Sequence, residues 1–374
     1  MNTVPRLDLT TVRDLVRPLH PVASVYLGLQ PPNPTLDTTE DLDLRWRLVG
    51  AALARQGADE ATVDALTRHV TTLPVFPTEL ALFAAGGEVR LAQPIPGVLR
   101  FDRAQFAVPA DVVPLLAWRQ RHPAYVVVVV DRTGADITAV PDGAVAGSSS
   151  VVVGPDDEIE RNAPGGWAQS RYQRRAEDSW QHNAAAVADA ATRQLRRLHA
   201  RLLLVAGDVR AVQLTRERLP QSMRRELTLL HLPGGRSPDG SGAARQESIV
   251  EAVDGYAADQ TAHLLDHFTE RDPGRTVEGA AQTLEALAAG RVATLFVADD
   301  PDDSRVAWYG PRLLCAATAD QVPDGDGWSP SSGRLVDVAV RAALLTDADV
   351  RVVDVAAGRF KDGIAALCRY SPTP

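Results

Sequence analysis

The apolar run from Ala124 to Val130 is too short to cross a membrane and has the unbroken character of a buried strand. With the turn at Asp131 to Ala135 and the strand that follows to Val140, it predicts a β-hairpin. The period then changes. Tyr172, Ala176, Trp180, Ala184, Val187, Ala191, Leu195 and Leu198 recur every three or four residues along one helical face. They predict a helix from Ser170 to His199, about 45 Å long at 1.5 Å per residue. Arg201 to Asp208 reads as a buried strand, Val209 to Arg218 as a short helix and Leu227 to Leu232 as another strand.

The same patterns divide the rest of the chain. Before Arg121 they predict a strand at Ala23 to Leu29, helices at Asp41 to Gln56 and Ala58 to Val70, and strands at Glu79 to Ala85 and Val89 to Ala92. Asp59 stands near the start of the second helix, where a carboxylate suits the helix dipole. Leu232 to Ala244 is rich in Gly, Pro and Ser and reads as a linker. Beyond it come helices at Arg245 to Arg271, Val277 to Ala289 and Leu335 to Leu345. Strands are expected at Val292 to Asp300, Arg305 to Tyr309, Val350 to Val355 and Ile364 to Tyr370. The expectation is three α/β domains: 1–121, 122–236 and 237–374.

At 374 residues the chain exceeds the usual size of a single core. Its 45% apolar and 23% charged residues fit a soluble globular protein, and the opening residues carry no apolar segment of signal-peptide type. The two cysteines, Cys315 and Cys368, fall in strand-like apolar runs, which fits buried thiols and a cytoplasmic location. A formal charge of −9 argues against RNA or DNA coating the whole body, and leaves room for a local basic patch. Lys361 is the only lysine, so the choice of arginine over lysine carries little meaning.

Several motifs fall short of the chemistry they resemble. His263 and His267 have the spacing of an inverted zinc motif, with Asp266 in place of glutamate, but no third ligand is apparent, so no metal is expected. Gly240 and Gly242 lack the third glycine and the strand-to-helix context of a dinucleotide loop. Asp299 to Asp303 reads as a solvated turn rather than a cation site. No cofactor is expected.

One stretch combines features that a structural helix does not require: GGWAQSRYQRRAEDSW, Gly165 to Trp180. Gly165 and Gly166 permit close backbone approach to a ligand. Trp167 precedes the predicted helix and can stack on a base. Gln169 offers an amide that hydrogen-bonds water, phosphate or ribose. Arg171, Arg174 and Arg175 share one face of the helix start. The alternative reading is a loop leading into a helix whose arginines pair with Glu177 and Asp178.

This stretch, the hairpin before it and the strand RLLLVAGD after it resemble the middle domain of the class-1 peptide release factors of archaea and eukaryotes. The likeness is closer to their bacterial branch, which includes Balon-like hibernation factors. LEALAAGRVATLFVADD and the closing GIAALCRY resemble the family's C-terminal domain, an α-β-α sandwich related to kink-turn-binding ribosomal proteins. The resemblance covers about Pro123 to Tyr370. It implies a tRNA-shaped, three-domain protein that docks in the ribosomal A site, with the loop reaching the peptidyl-transferase centre.

In the family a Gly-Gly-Gln loop positions water against the peptidyl-tRNA ester. Here Gly165 and Gly166 match the glycines and Gln169 the glutamine, with Trp167 and Ala168 inserted between them. Misplacement by about 1 Å can cost ~10²-fold in rate. The chain before Pro123 contains neither lysine nor cysteine and so lacks the family's Asn-Ile-Lys-Ser stop-codon reader. The resemblance therefore implies ribosome binding in hibernation, stress or rescue, with peptidyl-tRNA hydrolysis through Gln169 as the alternative. Expected partners are rRNA and the peptidyl-tRNA end, with an elongation-factor-like GTPase as a candidate for delivery; membrane and DNA are not expected.

Overall fold

The computed structural model describes residues 9–29, 38–72, 79–97, 102–153, 166–236, 241–270, 273–310, 315–322, 329–353 and 360–371. The chain begins with α1 (Thr10–Val16), β1 (Val22–Gly28), α2 (Thr38–Arg55), α3 (Glu60–Thr71), β2 (Glu79–Ala85), β3 (Glu88–Pro94), β4 (Arg103–Ala107) and α4 (Val113–Arg121). Next come β5 (Tyr125–Asp131), β6 (Gly134–Val140), β7 (Ser148–Val153), α5 (Gly166–Leu198), β8 (Leu202–Gly207), α6 (Val209–Arg218), α7 (Gln221–Glu226) and β9 (Thr228–His231). It closes with α8 (Ser241–Glu270), β10 (Thr276–Glu278), α9 (Ala280–Ala288), β11 (Val292–Ala298), β12 (Val306–Tyr309), β13 (Ser331–Arg334), α10 (Leu335–Leu345), β14 (Asp349–Val353) and β15 (Ile364–Cys368). The fold is mixed α/β.

The chain divides into two compact units. One holds Arg121–Gln260; the other holds Arg6–Gln120 and Thr261–Pro374. The first and third sequence segments thus share a unit, and the division falls inside α8 rather than in the Gly/Pro/Ser stretch.

In the Arg121–Gln260 unit, five strands lie in the order β7-β6-β5-β8-β9. β5 to β7 form an antiparallel meander, while β8 and β9 join β5 in parallel. Alternation along β5 explains why both faces are covered. Val126, Val128 and Val130 meet α5 and α6, whereas Val127 and Val129 meet Ile249, Val253 and Tyr256 of α8. Burying a side chain of this size contributes about 1.5–3 kcal/mol relative to leaving it in water.

The second unit contains the antiparallel sheet β3-β2-β1-β4 and the mixed sheet β10-β15-β11-β14. Ala23, Val25 and Leu27 of β1 pack under α2 and α3, while Val22 and Tyr26 point into the core shared with α1, α4, α9 and α10. The second sheet buries one face against α9 and α10, and sets Phe296, Ala365 and Leu367 against Leu264, Leu265 and Phe268 of α8. Helices thus cover both of its faces.

Several sequence expectations shift. α5 begins at Gly166 instead of Ser170, because Trp167, Ala168 and Gln169 carry no helix-breaking feature. Val277 belongs to strand β10 rather than to a helix, and α9 starts only after Gly279, whose φ is 86°. α8 starts at Ser241, taking in residues read as linker. Cys368 lies in β15, but Cys315 lies outside the strands; both thiols are buried.

Candidate nucleic-acid interface

α5 carries the glycine-arginine stretch, and its position is set by its C-terminal half. Ala184, Val187, Ala191 and Leu195 are buried on the sheet, as their spacing predicts. Asn183 Nδ2 donates to the Arg132 carbonyl at 2.8 Å, tying the helix to the β5–β6 turn. That turn is itself fixed. Asp131 Oδ1 accepts from the Thr133 amide at 2.7 Å, the Gly134 amide at 3.1 Å and Arg236 Nη1 at 3.1 Å. Burial acts to raise the Asp131 carboxyl, but the hydrogen bonds from Thr133 and Arg236 outweigh it and hold its pKa below the ordinary value.

α6 braces the middle of α5. The Arg210 guanidinium lies 5.4 Å from the Trp180 ring centroid, a cation–π distance, and Arg218 Nη2 donates to Gln181 Oε1 at 3.2 Å. At α5's far end Arg197 Nη2 donates to Ser148 Oγ of β7 at 3.3 Å. With 33 residues α5 is about 50 Å long, whereas a seven-residue strand spans about 23 Å. The sheet therefore cannot cover the whole helix.

The expected site residues fall at α5's N-terminal end. Gly166, Trp167, Gln169, Arg171, Arg174 and Arg175 are all helical in backbone, so Trp167 and Gln169 stand in the first turn of α5 rather than in a loop. Gly165 lies outside the described residues. At a helix start, unpaired backbone N–H groups and the dipole favour a phosphate. Carriage on one continuous helix also fixes the spacing of Arg171, Arg174 and Arg175 along its axis.

The structure adds arginines that were not singled out from the sequence. Between Arg193 and Arg225, arginines lie exposed on α5, α6 and α7, all on the same side of the sheet. The available signal was their local density, which the overall charge of −9 conceals. His263 and His267 stack edge-to-face with centroids 4.4 Å apart, and no set of three potential metal ligands occurs among the described residues. No described helix is long and apolar enough to cross a membrane.

Comparison with known proteins bears on this segment. Residues 124–274, which contain β5, the whole of α5 and the arginine-bearing helices, match the model of bacterial archaeo-eukaryotic release factor family 2. The uncharacterized protein Rv2629 of Mycobacterium tuberculosis is 27% identical over 97% of this chain and 96% of its own. Among solved structures, archaeal translation termination factor aRF1 is 16% identical, with a TM-score of 0.25 over 96% of both chains. Saccharomyces cerevisiae Dom34, described as a translation termination-like factor, is 10% identical, with a TM-score of 0.43 over 98% of this chain and 92% of its own. Over residues 124–274 the chain is thus similar to the bacterial archaeo-eukaryotic release factors of family 2.

Proposed function

We propose that this protein binds the ribosomal A site and inserts the N-terminal end of α5 toward the peptidyl-transferase centre. There it acts as an occluding factor in hibernation, stress or rescue. The observation that carries this reading is the release-factor family match over residues 124–274, the span that contains the Gly-Gly sequence and Arg171, Arg174 and Arg175. rRNA and the end of peptidyl-tRNA are the partners, with an elongation-factor-like GTPase proposed for delivery. The division into domains 1–121, 122–236 and 237–374 belongs to the same proposal.

The helical first turn favours occlusion over hydrolysis. Water positioning by Gln169 needs an amide placed within about 1 Å. In this chain Trp167 and Ala168 separate it from the glycines, and all three follow Gly166 inside α5. Hydrolysis is the second reading because Gln169 is present within one turn of Gly166.

Single-turnover release of labelled peptide from peptidyl-tRNA on purified ribosomes, with co-sedimentation alongside, separates the two. Tight binding without release is expected for wild type and Gln169→Ala alike. Release by wild type that disappears in Gln169→Ala would establish the hydrolase, and absence of binding would contradict both readings.

A further inference from the structure

The sheet of the Arg121–Gln260 unit has two covered sides of opposite charge. On one side α5, α6 and α7 expose Arg193, Arg196, Arg197, Arg216, Arg224 and Arg225. On the other, the part of α8 that packs on this sheet exposes Glu247, Glu251, Asp254 and Asp259. Such segregation does not arise from composition alone, since arginine dominates the basic residues everywhere in the chain.

Apart from Asp189, exposed on α5 one turn before Arg193, the carboxylates within the basic layer do little to neutralise it. Asp208 serves as the α6 N-cap, accepting from the Arg210 and Ala211 amides at 2.9 and 3.1 Å. Glu226 faces Arg201 at 3.9 Å, and Glu217 accepts from Gln213 at 3.1 Å. Arg193, Arg196, Arg216, Arg224 and Arg225 have no ion-pair partner among the described residues. Arg193 with Arg196 and Arg197 stand at i, i+3 and i+4 of α5, so like charges lie about 5–6 Å apart, an arrangement that destabilises an isolated helix. Arg196, Arg197, Arg216, Arg224 and Arg225 lie in the last turns of their helices, where the dipole favours cations, and their exposed guanidinium groups suit a polyanion whose charges repeat along its length.

We infer that the exposed surface of α5, α6 and α7, from Arg193 to Arg225, is a second RNA-binding face that engages backbone phosphates. It lies on a different part of the chain from the N-terminal end of α5. The inference rests on the reading that RNA is the partner, and it extends that reading from the tip of one helix to a layer of three. The acidic α8 side of the same sheet stays away from RNA.

The test uses the full chain and a variant with Arg193, Arg196, Arg197, Arg224 and Arg225 all changed to Gln, after circular dichroism and thermal melting establish that it folds. A second variant carries Arg171, Arg174 and Arg175 changed to Ala. Affinity for purified ribosomes and for naked rRNA is measured between 50 and 200 mM salt. Each phosphate that the protein no longer neutralises lowers the log–log salt slope by about 0.7–0.9. The five-residue variant should therefore bind both probes at least ~10-fold more weakly, with a slope reduced by about 4.

Unchanged affinity and slope in that variant would overturn the inference and return these arginines to a solvated surface. Weaker ribosome binding with an unchanged slope would also overturn it, pointing to a ribosomal protein as the partner of this face. Failure of wild type to bind ribosomes while this face still binds naked rRNA would remove the proposed function and keep the inference. Loss of binding confined to the Arg171/Arg174/Arg175 variant would do the reverse.

Discussion

Arg334 holds Asp337 with two hydrogen bonds, from Nε to Oδ2 at 3.1 Å and from Nη2 to Oδ1 at 2.9 Å. Arg334 Nη2 also reaches Asp111 Oδ1 at 3.1 Å, and Arg103 Nη2 donates to the other Asp111 oxygen at 2.7 Å. Arg103 extends the chain of charges to Asp299 at 3.1 Å. Three carboxylates thus share two guanidinium groups in a largely buried cluster. It joins β4 and the residues before α4 to the β13–α10 corner, within one compact unit. Breaking such a pair from one side strands a charge and typically costs about 3–5 kcal/mol.

The surplus negative charge gives this cluster a pH signature. Burial first, and the Asp111 charge next, push the Asp337 carboxyl up to about 7, against the pull of Arg334. A raised carboxyl favours the folded state while protonated, so its contribution is complete below about pH 4 and is lost as pH rises through about 7. Asp337→Asn mimics the protonated form. The melting temperature of Asp337→Asn relative to wild type should rise between pH 5 and pH 8, as followed by scanning calorimetry. A difference that does not change with pH would contradict this assignment.

Gly207 ends β8 with φ 120°, and a Cβ added there would overlap the Val130 carbonyl oxygen. Neither strand can yield, because Val130 and Gly207 are register partners in the parallel β5–β8 pair. Gly207→Ala should therefore destabilise the protein by more than about 3 kcal/mol in urea titration. Gly57 has φ 93°, but a Cβ added there would meet nothing within 4 Å, so Gly57→Ala should cost only about 1–2 kcal/mol. Equal losses at the two sites would refute the steric argument.

Much of the middle segment was legible because its patterns are local. The face Ala184, Val187, Ala191 and Leu195 announces α5, and the valine run from Val126 to Val130 announces β5. α4 was missed because burial on nearly every side, from Val113 to Gln120, removes the polar stripe that reveals a helix. β7 was missed because Ser148 to Ser150 carry no apolar alternation, being on an exposed edge strand. The Asp111–Arg334 pairing spans 223 positions and leaves no local trace. The arginines between Arg193 and Arg225 were visible as letters, but averaging charge over the whole chain hid them.

The two native cysteines should be nearly inert in the folded protein. Burial pushes the Cys315 thiol up to about 12, and burial also raises Cys368. Labelling with a small thiol reagent at pH 8 should proceed only as fast as the protein opens, and accelerate at least ~100-fold in denaturant. Cys315 Sγ lies 3.3 Å from the Leu284 carbonyl oxygen. Rapid stoichiometric labelling of the native chain would contradict tight packing around that pair.

Replacing Arg171, Arg174 and Arg175 together by alanine should weaken ribosome binding and reduce its log–log salt slope by roughly 2–3. Co-sedimentation across a salt series reads both quantities. Full binding in this variant would assign the three arginines to pairing within the protein, with Glu177 and Asp178 as the nearest carboxylates in sequence.

The most direct test of the central claim uses those two buried cysteines as silent background. Gln169→Cys introduces a probe site at the N-terminal end of α5, to which an iron chelate is attached for hydroxyl-radical cleavage of bound ribosomes. Insertion of this end into the peptidyl-transferase centre predicts strand scission clustered in the rRNA of that centre. Bound ribosomes cleaved only elsewhere, or not at all, would contradict it.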